Sequence, residues 1–126
     1  MEANKIIITG AATRMGAAIA KKLSGPGVEM VIHYNRSKSK AEKLQKELSK
    51  NKTKVYLVKG DLAKEQDLKK IIKFSKNIRG KNNNIINIID QRVFKLTPYF
   101  FSYTISKTGL YTLTKTSAMS LSLIHI

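Results

Sequence analysis

Tyr103 and Lys107 stand four residues apart in Tyr103-Thr104-Ile105-Ser106-Lys107. On a helix, positions i and i+4 share a face. A phenol and an ammonium would then meet. The lysine charge favours the phenolate and is expected to lower the tyrosine pKa toward neutrality. Such a pair can deliver a proton to an alkoxide or amide formed by hydride transfer. Tyrosine and lysine meet at this spacing often, so the pair takes its meaning from what accompanies it.

The first companion is the stretch Ile6 to Ile19. Ile6, Ile7 and Ile8 read as a buried strand. Thr9-Gly10 breaks it, and Met15, Ile19 and Leu23 then recur at helical spacing. A strand passing through a glycine turn into a helix aims backbone N–H groups and the positive helix end at a phosphate. Glycine suits that turn because a Cβ would hold the backbone away from the ligand. The glycines here are Gly10 and Gly16, so the general G-x-G-x-x-G pattern is not met.

The elements that must position these groups alternate. Val28 to Tyr34 reads as a second strand after Gly25-Pro26-Gly27. Lys38 to Lys50 is a helix with Ala41, Leu44 and Leu48 on one face. Val55 to Val58 is a third strand, closed by Gly60-Asp61. Leu68, Ile71, Ile72 and Ser75 mark a third helix. This β-α-β-α-β-α order predicts a parallel sheet with crossover helices. Arg79 to Asn84 is a polar breaker, Ile85 to Ile89 a fourth strand, and about Phe100 to Leu121 a long helix rich in Thr and Ser. Asp90 falls at the carboxyl end of that fourth strand, where open α/β sheets hold ligands.

Composition narrows the field. The 126 residues suffice for one domain with a core. There is no cysteine, which removes disulfides, thiolate metal sites and thiol nucleophiles. Residues 1–8 hold too short an apolar run for a signal peptide, and no run approaches the ~20 residues of a membrane span. A cytoplasmic location is expected, with no membrane partner. The formal charge of +16 would suit a polyanion partner. However, the lysines are interrupted by Glu42, Glu47, Glu65 and Asp67, and aromatics do not interleave with them as on a single-strand binding platform. The composition therefore argues for solvated lysines over a nucleic-acid surface.

Taken together, Thr9-Gly10-Ala11-Ala12-Thr13-Arg14-Met15-Gly16, Asp61-Leu62 and Tyr103 to Lys107 resemble the short-chain dehydrogenase/reductase family, over roughly Lys5 to Leu121. The usual family turn is T-G-x-x-x-G-x-G, and Arg14 replaces its middle glycine. That replacement, with His33-Tyr34-Asn35-Arg36-Ser37, is similar to the pteridine reductase branch. So is Asp90, thirteen residues before Tyr103 at the usual catalytic serine position. The resemblance implies an α/β fold, a Rossmann-like doubly wound parallel sheet. It also implies hydride transfer from NADPH to a C=O or C=N bond of a small molecule such as a pterin. Tyr103 would supply the proton, Lys107 would bond the nicotinamide ribose and tune Tyr103, and Asp90 would orient substrate or share in proton delivery. Gly10, Arg14, Met15 and Gly16 would form the phosphate turn, and Asp61 and Leu62 would lie by the adenine. No metal is implied.

Charge argues for the phosphorylated cofactor. NAD-binding versions carry an acid about 20 residues beyond the glycines. Here that count reaches Arg36, and no acid lies between Glu29 and Glu42. A guanidinium offers paired donors to a 2′-phosphate. Arg36, with Ser37 and His33, is expected at that phosphate. Asp61 has a second reading as a cap for the following helix.

Two family blocks are missing. The segment between Asp61 and Tyr103 has no room for the strand ending in an Asn-Asn-Ala-Gly motif and the long asparagine helix after it. The later strands and substrate lid are absent too. We therefore expect a single truncated domain over 1–126, its sheet incomplete, with a deletion junction near 80–84 and a compromised homo-oligomer interface. Phe94, Phe100, Phe101 and Leu110 would be exposed. The main alternative to a reductase is a catalytically inactive remnant with weak or no nucleotide binding. A basic polyanion-binding module is a further one.

Overall fold

The computed structural model describes residues 4–76 and 87–124. Its contacts divide the chain into two compact units, Met1–Asn83 and Asn84–Ile126.

The first unit alternates strand and helix throughout: β1 (Asn4–Ile8), α1 (Arg14–Leu23), β2 (Val28–Tyr34), α2 (Lys38–Lys50), β3 (Lys54–Lys59) and α3 (Glu65–Lys76). The strands are parallel in the order β1-β2-β3. Ile8 pairs with Ile32, and Tyr34 with Lys59. All three strands thus end toward one edge, and the glycine turn and Gly60-Asp61 lie along it.

β2 is buried on both faces, which explains its nearly unbroken apolar run. Met30 and Ile32 pack with Ala20 of α1 and with Leu44 and Leu48 of α2. On the opposite face Val31 and Val58 pack with Ile71 of α3, flanked by Tyr56 and Phe74. Burying side chains of the size of Met30, Ile32 or Leu48 contributes ~1.5–3 kcal/mol each. Helices therefore cover both faces, and the unit is a doubly wound, Rossmann-like sheet of three described strands. Thr53, buried before β3, fixes the far end: its hydroxyl accepts from Gly25 N at 2.8 Å and lies 3.2 Å from Gly25 O. The predicted bounds of β2 and α2 coincide with the structure, and β3 extends one residue further at each end.

The second unit holds a 3-10 turn (Gln91–Val93) and α4 (Phe101–Ile124). α4 stays helical despite its hydroxyls because several of them bond within the helix. Thr108, Thr114 and Thr116 each donate to the carbonyl four residues back, at 2.6–2.8 Å. The segment ahead of α4 lies along one of its sides. Asn87 Nδ2 donates to Thr114 Oγ1 at 2.8 Å, and Phe94 meets Tyr111 edge-on at 5.1 Å.

The strand expected over Ile85–Ile89 falls partly, and the junction expected near 80–84 wholly, outside the described residues. Residues 87–89 are not strand, because Asn87 and the Ile88 carbonyl are tied to α4 side chains instead. The other side of α4 carries an open groove of about 830 Å³, lined by Leu96, Phe101, Ile105 and Leu113 among small Thr and Gly residues. Phe94, Phe100 and Phe101 are exposed as expected, whereas Leu110 is half-buried. Among the described residues no helix is long and apolar enough to cross a membrane.

Candidate active site

The glycine turn is built by three backbone constraints. Gly10 adopts φ +61, a left-handed conformation that side chains disfavour. Gly16 has no space for a Cβ, which would come within 2.5 Å of Gly10 O and 2.8 Å of Ala11 Cα. α1 therefore packs directly on the turn. Arg14 has φ +49, so the position filled by arginine keeps the left-handed backbone that favours glycine. Holding a side chain there costs ~1–3 kcal/mol. The Arg14 and Met15 side chains point into solvent, Met15 at 61% exposure.

His33 is not at the surface with Arg36, where the sequence placed it. It is 2% exposed and bridges two strand ends. Gly10 N–H donates to its Nδ1 at 3.0 Å, and its Nε2 lies 2.8 Å from Gly60 O. Nδ1 must carry a lone pair, so the hydrogen sits on Nε2 and is donated to Gly60. With both nitrogens engaged, the ring holds the turn and has no donor left for a phosphate. Ala11 N adds a bond to His33 O at 3.0 Å.

Arg36 and Ser37 occupy the loop into α2. The Arg36 guanidinium is exposed and makes no hydrogen bond or ion pair among the described residues. Ser37 is the N-cap of α2 but its side chain forms no capping bond, and the first turn of α2 holds no acid. The N-terminus of α1 is likewise uncapped by Thr13 and free of acid. α3 differs, with Glu65 and Asp67 in its first turn. Two helix ends bordering the turn and the β2 loop are thus electrostatically open to anions. A dinucleotide with a 2′-phosphate fits these residues. Asp61 serves the local turn: its Oδ1 accepts from Ala63 N at 3.0 Å, and its own N–H donates to Asp67 Oδ2 at 2.8 Å. Leu62 beside it is 44% exposed.

The second unit brings Asp90, Tyr103 and Lys107 together. Asp90 caps the 3-10 turn, its Oδ1 accepting from Arg92 N at 2.9 Å. Its Oδ2 accepts from the Tyr103 hydroxyl at 3.1 Å. Lys107 Nζ lies 5.8 Å from the Tyr103 ring centre and donates to Ile88 O at 3.0 Å.

The expected lowering of the tyrosine pKa is corrected here. The bond to Asp90, then desolvation, raise the Tyr103 pKa above 10.0. The carboxylate stabilises the protonated phenol, and the lysine charge is spent on a carbonyl. Asp90 shifts oppositely, below 3.8, chiefly through the Arg92 N–H bond and further through Tyr103. The pair is an ionised carboxylate accepting from a neutral phenol.

The cofactor candidates of the first unit and the proton-transfer candidates of the second thus form two separately built clusters. Two participants escaped the sequence reading. His33 as a bridge has no sequence signal beyond its position at a strand end. Arg92 was legible only as the second residue after a capping aspartate.

A parallel, doubly wound sheet with a glycine turn from first strand to first helix is the architecture on which α/β proteins bind nucleotides. Comparison narrows this. The short chain dehydrogenase family profile matches residues 4–87, two thirds of the sequence, and the chain belongs to the short-chain dehydrogenase/reductase family. A short-chain dehydrogenase/reductase homolog of Bacillus subtilis is 28% identical over 85 residues, which are 67% of this chain and 78% of that protein. Dehydrogenase/reductase SDR family member 4 of Caenorhabditis elegans is 33% identical over 86 residues, 68% of this chain and 33% of that one. Among solved structures, FolM alternative dihydrofolate reductase 1 of Brucella canis, complexed with NADP, is similar at 27% identity and TM-score 0.77. That likeness covers 94% of this chain and 66% of the Brucella protein.

Proposed function

We propose that this protein is an NADPH-dependent reductase of pteridine reductase-like type, acting on a C=O or C=N bond of a small molecule, pterins included. The observation that carries this is the Tyr103–Asp90 hydrogen bond, one helical turn from Lys107, in a member of this family. The likeness to an NADP-complexed alternative dihydrofolate reductase supports both cofactor and substrate class.

When bound, the cofactor supplies the hydride. Gly10, Arg14, Met15 and Gly16 would hold its pyrophosphate against the α1 N-terminus. Arg36 and Ser37 would take the 2′-phosphate at the α2 N-terminus, and Asp61 and Leu62 the adenine. His33 acts behind them by fixing the turn. Tyr103, kept protonated by Asp90, is a proton donor at neutral pH, and Asp90 positions its hydroxyl. Lys107 would bond the nicotinamide ribose after leaving the Ile88 carbonyl.

A second reading draws on that same carbonyl bond and on the raised phenol pKa: a family member that has lost turnover. NADPH titration by nicotinamide fluorescence, beside NADH and an Arg36→Ala variant, tests both. Saturable binding that prefers NADPH and fails in the variant supports the cofactor site, and pterin-dependent oxidation of NADPH then separates reductase from inactive relative. A soluble chain that binds neither nucleotide would overturn the proposal.

A further inference from the structure

Arg92 is placed beside the proton-transfer pair but does nothing in the scheme above. Its backbone N–H bonds Asp90 Oδ1, so its position follows that carboxylate. Its guanidinium lies over the Phe100 ring at 4.3 Å and 5.9 Å from the Tyr103 ring centre. Phe100 holds its place with φ +60, a conformation unfavourable for a phenylalanine.

The guanidinium makes no hydrogen bond or ion pair among the described residues. Both Asp90 oxygens are already engaged, one by Arg92 N and one by Tyr103. Residues 84–126 contain a single acid, Asp90, against Arg92, Lys95, Lys107 and Lys115. The half-buried Arg92 has its guanidinium carbon over an aromatic face, and its N–H donors are left for another acceptor. The guanidinium fork matches a carboxylate bidentately.

We propose that the Arg92 guanidinium, laid over Phe100 beside the Asp90–Tyr103 pair, is a subsite for a carboxylate on the substrate. Its role as a substrate subsite rests on the reductase reading; anion binding at Arg92 does not. The class of substrate favoured is then a carbonyl or imine compound that also carries an acid group, over its neutral counterpart.

The test uses benzoate as the carboxylate probe and benzamide as its uncharged counterpart. The readout is the arginine side-chain N–H resonances of the full chain, with that of Arg92 assigned by its loss in Arg92→Gln. Benzoate should shift the Arg92 resonance saturably and benzamide should not. Followed in the variants by the ring-proton resonances of benzoate itself, Arg92→Gln should weaken benzoate binding by about tenfold or more, the loss expected for a charge-assisted bidentate contact. Arg92→Lys, which keeps the charge without the fork, should lie between and serves if the glutamine variant does not fold.

An unshifted Arg92 resonance, or an equal response to benzamide, would overturn the proposal. So would displacement of benzoate by NADPH with the same resonance shifted, which would make Arg92 a cofactor contact. A chain that binds benzoate at Arg92 but no NADPH would keep the anion site and remove the reductase reading.

Discussion

Gly10 and His33 are joined across 23 residues by a 3.0 Å bond from the Gly10 amide to Nδ1, while Nε2 of the same ring reaches Gly60 O at 2.8 Å. One buried side chain thus ties the glycine turn to the ends of two strands. Replacing it by His33→Phe keeps an aromatic ring but leaves a donor and an acceptor without partners. Each such orphan costs ~1–3 kcal/mol, so a loss of roughly 2–6 kcal/mol is expected. Urea unfolding measures it, and nucleotide binding should weaken in parallel because the turn loses its brace.

Arg14 stores strain where the family turn has glycine. Arg14→Gly removes a left-handed side chain but loosens the unfolded chain, for a net gain of ~0.5–1 kcal/mol. The same change removes a guanidinium from the turn proposed to hold the pyrophosphate. Higher stability with weaker NADPH binding, read by thermal unfolding and fluorescence titration, is the expected combination. Unchanged binding would mean that the arginine faces no ligand.

Gly16 is required by space and not by conformation. In Gly16→Ala the new methyl meets two backbone atoms, Gly10 O at 2.5 Å and Ala11 Cα at 2.8 Å, neither of which can rotate away. Helix and turn must separate, at a cost of ~1–3 kcal/mol. Gly25→Ala, where nothing lies within 4 Å, should be nearly neutral and is the control.

The Asp90–Tyr103 bond has a defined pH window. The folded Asp90 pKa lies below 3.8, so its contribution is present above that pH and is lost as pH falls through the folded value. The folded Tyr103 pKa lies above 10.0, so its contribution is present below that pH and is lost as pH rises through the folded value. Asp90→Asn removes the acceptor charge and should bring the phenol back toward 10.0. Phenolate absorbance in an alkaline titration, compared with Tyr103→Phe to isolate this tyrosine, gives the shift.

The sequence alone determined the alternation β1-α1-β2-α2-β3-α3, the buried face Ala41-Leu44-Leu48 of α2, and the long helix carrying Tyr103 and Lys107. These follow from periodicity and turn residues within a few positions of one another, and tertiary packing did not override them. The glycine turn and the absence of an acid before α2 were legible for the same reason.

Only the tertiary structure decided the rest. His33 left the expected phosphate cluster because parallel register, set over whole strands, brings Gly10 and Gly60 to its two nitrogens. Tyr103 shifted opposite to expectation because helical spacing places Lys107 near the ring but cannot say where its Nζ bonds. The Ile88 carbonyl takes the ammonium and Asp90 takes the phenol, and both partners come from a segment folded back on the helix. Spacing along the chain fixes which side chains share a face; folding fixes which atoms on that face find each other.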